Sequence, residues 1–539
     1  MLRLAVVLAL LAALMAAESS AARVAAPRFV RNIATGETGW FSSPALVDVT
    51  GDRRLEIVAP FYSTFVFDHR GRLLGKGTAT EGRVYAPGVV ADLDRDGVRE
   101  IVVGGNEGTV AAYNLSGGAL RPKPGWPAST CSGGQCPETR GMAAADLDGD
   151  GRIEVVATTT NTSPTGSQVF VFDASGRPAA GWPRYDARLG DADFNGVGNH
   201  GYGAYGENVG IGELDDDPQL EIVVTFDNHQ INVFNHDGTS VLASPWYTNR
   251  ASGHVGSRLG WGQFIRWLLP RVEDDHYHSH VGPWPDVWTT PWLQWTASPP
   301  SVADLDRDGR NEVIGLPNVE MKEPYETHAY AFMVLDGAQR GGRRSARRHK
   351  GFRKLPLSGK PAVRPEGDWY PPGGIPAPTI VDLRGSRRPE IVAPVPDGFV
   401  YAVGPGGRRL WRYDYAHGAT KTFASEVAAA DLNRDGVPEL VFGTYGAAPG
   451  SGRLVVLSAS GRRLHDIRLR NQGSDGNGIG VPAAPSIGDL DRDGHLEIVL
   501  TTFDHGIDVY RVPRSGTNRV PWGTGRANLL RNAATPKLR

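Results

Sequence analysis

The sequence predicts an all-β chain folded as a β-propeller of four-stranded antiparallel blades, eight in number, with seven as the alternative. Three observations predict it. A nine-residue pattern, D-x-D-x-D-G-x-x-E, recurs along the chain; a short β-branched run follows its copies; and Gly 69 and Pro 39 in 539 residues supply many turns while helical periodicity is scarce. Full copies stand at Asp92, Asp94, Asp96, Gly97 and Glu100; at Asp146, Asp148, Asp150, Gly151 and Glu154; at Asp304, Asp306, Asp308, Gly309 and Glu312; at Asp431, Asn433, Asp435, Gly436 and Glu439; and at Asp489, Asp491, Asp493, Gly494 and Glu497. Weaker copies are Asp48, Thr50, Asp52 and Glu56; Glu213, Asp215, Asp217 and Glu221; and Asp382, Arg384, Ser386 and Glu390. The eight copies lie 44 to 91 residues apart, with a mean of about 63, a spacing that fits one supersecondary unit per copy. Seven blades result if the first or the sixth copy is not a blade.

Each unit reads in the same order. In the first, Ala45-Leu-Val-Asp48 is an apolar strand running into the loop, 55–60 a strand running out, Phe65-Val-Phe-Asp68 a third strand, and Arg72-Leu-Leu74, after a Gly turn, a fourth. The strand out of the loop recurs as Glu100-Ile-Val-Val103, Glu154-Val-Val156, Glu221-Ile-Val-Val224 and Glu497-Ile-Val-Leu500, apolar on both faces as in a buried strand. The third recurs at 109–113, 169–173, 231–234, 399–402, 454–457 and 507–510. Four antiparallel strands per repeat make a propeller blade.

Carboxylates two residues apart in a tight turn converge on one hard cation, which takes six to eight oxygens at about 2.3–2.6 Å. In the copy at residue 92 the oxygens are those of Asp92, Asp94, Asp96, a backbone carbonyl near Val98, and Glu100, with Gly97 allowing the bend. All-oxygen anionic ligation favours calcium. An EF-hand is excluded, because its Glu follows the Gly by six residues and helices flank it, whereas here the interval is three and the flanks are strands. The expectation is about five calcium sites, one per full copy, and a sixth if Glu213, Asp215, Asp217 and Glu221 also bind. In the sixth copy Arg384, Arg387 and Arg388 suggest that an arginine supplies the positive charge internally.

On these motifs the chain resembles the FG-GAP or VCBS repeat family, whose calcium-loop blades are also found in integrin α-subunit heads. The resemblance covers about residues 44 to 512. It implies metal ligands at the first, third and fifth loop positions, where the family's ninth residue is often Asp rather than the Glu seen here. It also implies ring closure by a strand near 29–33 pairing with the last blade, built around 507–510 and 519–530. A related set of rhamnogalacturonan lyases has eight blades, which makes a polysaccharide lyase the alternative function.

The net charge of −2 gives no reason to invoke nucleic acid or a membrane surface. Residues 1–22 read as a secretory signal peptide, with Arg3 before an apolar run too short to span a bilayer, so a secreted, periplasmic or cell-surface address is expected. A single propeller is assigned to 27–530. The two cysteines, Cys131 and Cys136, are expected to close a small disulfide loop in that oxidising setting.

Two segments depart from the repeat. An insertion at 238–300 carries seven of the thirteen tryptophans between Trp246 and Trp295, and six of the fourteen histidines fall in 229–280. Within it His276, His278 and His280 share one face if extended, which suits a transition metal or a general base, although a solvated polar loop, its histidines bonded to backbone and water, is the favoured reading. Trp261, Trp284, Trp288 and Trp292 are candidates for stacking on sugar rings, or else for a small local core. Trp126, Trp182 and Trp411 are read as repeat architecture. A basic run at 339–354 is expected to be a solvated loop. No P-loop, dinucleotide fingerprint, G-x-S-x-G or H-E-x-x-H motif occurs. The favoured function is therefore a secreted calcium-binding module for a carbohydrate or an extracellular protein, more a binder than an enzyme.

Overall fold

The computed structural model describes residues 23–78, 82–163, 166–183, 207–226, 231–242, 261, 292–295, 298–320, 329–338, 346–359, 376–470, 478–516 and 519–535. Within them the chain forms eight antiparallel sheets, one per copy of the loop pattern, and a separate two-stranded ribbon of Trp292–Gln294 with Asn318–Glu320. The eight-blade count holds, and the degenerate first and sixth copies are both blades: their inner strands are Ala45–Val47 and Thr379–Val381.

In every blade an inner strand enters the loop and the next strand leaves it. The outgoing strands Glu56–Pro60, Glu100–Gly104, Glu154–Thr159 and Glu221–Thr225 are buried at every position, since each faces a neighbouring blade on both sides. That is why they are β-branched throughout instead of alternating. Phe29–Ile33 of the first strand pairs with the last blade, Phe29 opposite Tyr510 and Ile33 opposite Ile507, and closes the ring. Asn32 holds the seam by donating its side-chain amide to His505 O, Ile507 O and Asp508 Oδ1.

Four strands per blade is not universal. In blades three, four and five the fourth strand is reduced to single bridges, Phe172 with Pro178, Phe234 with Ser240 and Leu335 with Arg348. The basic run is packed in part: Ala346, Phe352 and Leu355 join the core of blade five and Arg348 and His349 are buried between them, while Arg347, Lys350, Arg353 and Lys354 are exposed.

The expectation for 519–530 is overturned. This segment, continuing to Thr535, does not join the last blade but runs around the inside of the ring. One residue of each of six inner strands, the second from the strand's loop end, donates its backbone N–H to it: Ala429 to Trp522 O, Ile487 to Gly523 O, Val90 to Leu529 O, Ala144 to Leu530 O, Ile211 to Asn532 O and Val302 to Ala533 O. Inner strands of a ring have no partner on the axial side, and an extended segment there satisfies amides that burial would otherwise leave costly. Blade one is reached through Arg531, which donates to Ser43 O and Pro44 O. At blade six the two ends of the plug, near Pro521 and Thr535, leave a cleft of about 390 Å³. At the opposite end of the axis Trp40, Phe41, Tyr85, Tyr445 and Phe503 pack edge to face or tilted.

Candidate metal loops

All eight loops share one geometry. The ninth-position Glu is buried in each copy, and its Oε2 accepts the backbone N–H of the second loop residue, as in Leu93 to Glu100 at 2.9 Å, Leu147 to Glu154 at 2.8 Å and Leu490 to Glu497 at 3.0 Å. This Glu therefore staples the loop and leaves its other oxygen facing inward. The first-position Asp takes amides from the far side of the turn: Asp92 from Asp96 and Gly97, Asp304 from Asp308 and Gly309, Asp489 from Asp493 and Gly494. Gly97 at φ 86° is the expected bend, but the fourth position is left-handed too, with Arg95 at 63° and its counterparts Arg307, Arg434 and Arg492 at 62–67°.

The predicted ligands converge. Single carboxylate oxygens of Asp92, Asp94 and Asp96 lie within 4.8 Å of one another, as do those of Asp304, Asp306 and Asp308, of Asp146, Asp148 and Glu154, and of Glu213, Asp215 and Glu221. A divalent cation fits blades three and four best. There Asp146 Oδ1, Asp215 Oδ1 and Glu221 Oε1 are buried with no hydrogen-bond donor; Asp94 Oδ1 of blade two is likewise donorless, but Lys123 contacts the other oxygen of that carboxylate. Burial, with the neighbouring carboxylates adding to it, pushes Glu154 up to about 7, Asp215 to about 6 and Glu221 to about 9. Glu312, Glu439 and Glu497 rise to about 9, 8 and 7 for the same reason.

Other loops carry a cation of their own. In blade two Lys123 is 6 % exposed, and its Nζ stands 2.7 Å from Asp94 Oδ2 and 3.0 Å from Glu100 Oε1, between two of the expected ligands. In blade six Arg384 Nε is 2.6 Å from Glu390 Oε1, as its sequence suggested. In blade eight Arg511 contacts Asp493 and lies 3.9 Å from Glu497. In blade seven the Asn433 side-chain amide donates to Asp435 and Glu439.

Sequence reasoning missed Lys123, yet a signal was present. Arg121-Pro-Lys-Pro-Gly-Trp-Pro127 is restated as Arg177-Pro-Ala-Ala-Gly-Trp-Pro183, which sets Lys123 against Ala179. The structure makes them equivalent: Lys123 N donates to Ala112 O, Ala179 N to Val171 O, Val241 N to Val233 O and His349 N to Val334 O. One fourth-strand position thus presents Lys, Ala, Val and His to the loops of blades two, three, four and five.

The remaining candidates divide. Trp261 is 1 % exposed and belongs to the core around blades four and five, so it is not on a ligand face. Trp292 lies on the ribbon strand. His276, His278, His280, Trp284 and Trp288 lie outside the described residues. Trp126, Trp182 and Trp411 are architectural, each indole N–H reaching the next blade at Ala174 O, His236 O and Ala459 O. Cys131 and Cys136 form the expected disulfide.

Comparison with known proteins agrees with this geometry. Residues 92–157 match an FG-GAP-like repeat and residues 423–457 match the FG-GAP repeat. The propeller carries FG-GAP-type repeats in these two stretches. No curated protein matches the chain in sequence. Among solved structures, the crystal structure of BBS1N in complex with ARL6DN is 9% identical, over 92% of this chain and 99% of that one, at a TM-score of 0.43. BamB from Moraxella catarrhalis is 11% identical over 90% and 100%, at 0.45. The V. cholerae biofilm matrix protein Bap1 is 14% identical over 92% and 81%, at 0.36. An FG-GAP propeller fold suggests an interaction module, and no helix among the described residues is long and apolar enough to cross a membrane.

Proposed function

We propose that this FG-GAP propeller is a secreted binding module for a carbohydrate or an extracellular protein, with calcium clamping those loops that lack a cation of their own. The observation that carries the calcium reading is the set of buried, donorless oxygens Asp146 Oδ1, Asp215 Oδ1 and Glu221 Oε1. Within blade four, Asp215 and the buried Glu221 converge with Glu213; carboxylates brought that close need a counter-charge, and an all-oxygen donor set favours a hard cation. Asp146, Asp148, Asp150 and Glu154 would hold it in blade three, and Glu213, Asp215, Asp217 and Glu221 in blade four. Asp304, Asp306, Asp308 and Glu312, and Asp431, Asn433, Asp435 and Glu439, offer further seats, whereas in the loop of Asp489 and Asp491 the Arg511 side chain already stands against Asp493 and Glu497. A bound cation supplies charge compensation and locks each loop to its blade. The disulfide and the segment 1–22 support an address outside the cytoplasm.

The test has two parts. Chelation should lower the melting temperature of the mature protein, and an unchanged melting curve would sink the calcium reading. Binding of the calcium-loaded protein to a glycan and polysaccharide array, against a chain lacking 246–295, tests the ligand class. Signal dependent on that segment supports sugar recognition, whereas silence moves the reading to a protein partner.

A further inference from the structure

Lys123 shows that its fourth-strand position reaches the cation seat of the loop, since its Nζ touches both the third-position Asp94 and the ninth-position Glu100. His349 occupies the same position in blade five, set by the same backbone bond, from His349 N to Val334 O. Its ring is buried at 5 % exposure. Nδ1 is held by Asp336 Oδ1 at 2.8 Å. Nε2 faces Asp306 Oδ2 at 3.8 Å, beyond hydrogen-bond reach. Donors that share an ion at about 2.0–2.2 Å each lie at about that separation. One donor atom from each of Glu312, Asp336 and His349 lies within 4.8 Å of the others, next to the Asp304, Asp306 and Asp308 set. The exposed Lys350 Nζ, also 3.8 Å from Asp306 Oδ2, is the other basic group there.

We infer that the loop of blade five is a mixed nitrogen and oxygen site for a borderline divalent metal, of the zinc, cobalt or nickel class, with His349 Nε2 as a ligand beside Asp306. The inference rests on the reading that these loops hold cations, but not on calcium. Imidazole suits such metals and is a poor partner for calcium. Asp336 supplies what ligating histidines ordinarily have, a carboxylate on the other ring nitrogen that fixes the tautomer and raises the basicity of Nε2. The three positions equivalent to His349 make the contrast within one chain: an ammonium in blade two, and Ala179 or Val241, which offer no donor, in blades three and four.

The test uses the untagged mature chain, stripped with chelator and titrated with Zn2+ and Co2+ by calorimetry and by Co2+ absorption. One site with a nitrogen-ligated Co2+ spectrum is expected. His349→Gln should weaken it by about 100-fold or more, and Asp336→Asn by about 10–100-fold. His349→Lys should recreate the blade-two arrangement and abolish the site while the melting temperature holds. A variant with His276, His278 and His280 all changed to Ala should bind as the parent does. Equal Zn2+ binding by the parent and His349→Lys, loss of the site in the triple variant, or no stoichiometric Zn2+ at all would each overturn the inference. Calcium stoichiometry is measured separately on the same samples, so failure of the calcium reading leaves a distinct signature.

Discussion

Replacing Arg531 by Met tests whether the axial segment holds the ring together. Arg531 is fully buried, and its guanidinium donates to five oxygens: Gly88 O at 2.9 Å, Thr524 Oγ1 at 2.7 Å, Gly525 O at 2.8 Å, Ser43 O at 3.3 Å and Pro44 O at 3.2 Å. These tie blades one and two to the plug. Pro44 O keeps donors from Ser486 and Thr524 when the arginine goes, but Gly88, Gly525 and Ser43 each lose one. A buried carbonyl losing its partner costs about 1–3 kcal/mol. Glu207 and Glu426, whose buried carboxyls the cation favours, lose that compensation as well. Against this, Met no longer has to strip water from a charge, a cost large enough to pull the pKa of Arg531 down to about 10. The net expectation is a loss of about 3–5 kcal/mol. At about 2.1 cal/mol/K per residue of unfolding entropy over some 500 residues, that is a fall of about 3–5 °C in melting temperature, read by near-UV circular dichroism in saturating calcium. Arg531→Lys, which keeps the charge but offers fewer donors, should fall less. A Met variant melting within about 1 °C of the parent would falsify the plug as a structural tie.

Three further outcomes follow from the same geometry. Lys123→Met should destabilise blade two in chelator and gain one bound Ca2+ by native mass spectrometry, since the vacated seat has Asp92, Asp94, Asp96 and Glu100 around it; an unchanged stoichiometry refutes the idea that Lys123 fills an ion seat. Glu221 has a folded pKa of about 9 against an ordinary 4.5, so in the metal-free protein its contribution is whole below about 4.5 and is lost as pH rises toward 9. Glu221→Gln should therefore raise the melting temperature in chelator at pH 8 and lower it in calcium, and the same sign in both buffers contradicts the assignment. His505 is raised to about 9 by Asp504 and Asp508, against burial, and Asp508 also receives Asn32 of the closing strand. Its stabilisation, about 1–3 kcal/mol, is whole below pH 6.5 and lost through pH 9, so His505→Gln in calcium should flatten that part of the stability profile.

The repeat was legible because its two signals have local causes. A strand packed between blades must be apolar on both faces, and a nine-residue loop must place its Asp and Gly at fixed positions; both are written in adjacent residues. The axial plug left no such trace. Its partners are inner-strand amides from six blades, hundreds of residues apart, and a backbone donor has no side-chain signature. Arg526 and Arg531 look like ordinary surface arginines in a sequence, and only the ring makes them axial. At blade five composition suggested solvent, which holds for Arg347, Lys350, Arg353 and Lys354, while the spacing of Ala346, Phe352 and Leu355 seats them in the core and buries Arg348 and His349 between them.

The loops show how far a motif can speak for its ion. Blades two and three carry the same D-x-D-x-D-G-x-x-E, and the ligand positions within those nine residues do not separate them. What separates them is one residue some 25 positions after the Glu, Lys123 in one and Ala179 in the other, delivered to the seat by the fourth strand. An ammonium at 2.7 and 3.0 Å from two carboxylates competes directly with a divalent cation for the same oxygens, and it is covalently present at every ion concentration. On the proposed calcium reading, the loop motif specifies a cation seat and the fourth-strand residue specifies whether the chain or an ion fills it, so counting motifs would overstate the metal content by at least the blade that carries Lys123. Blades three and four, where the position holds Ala179 and Val241, are where chelation should first loosen the structure.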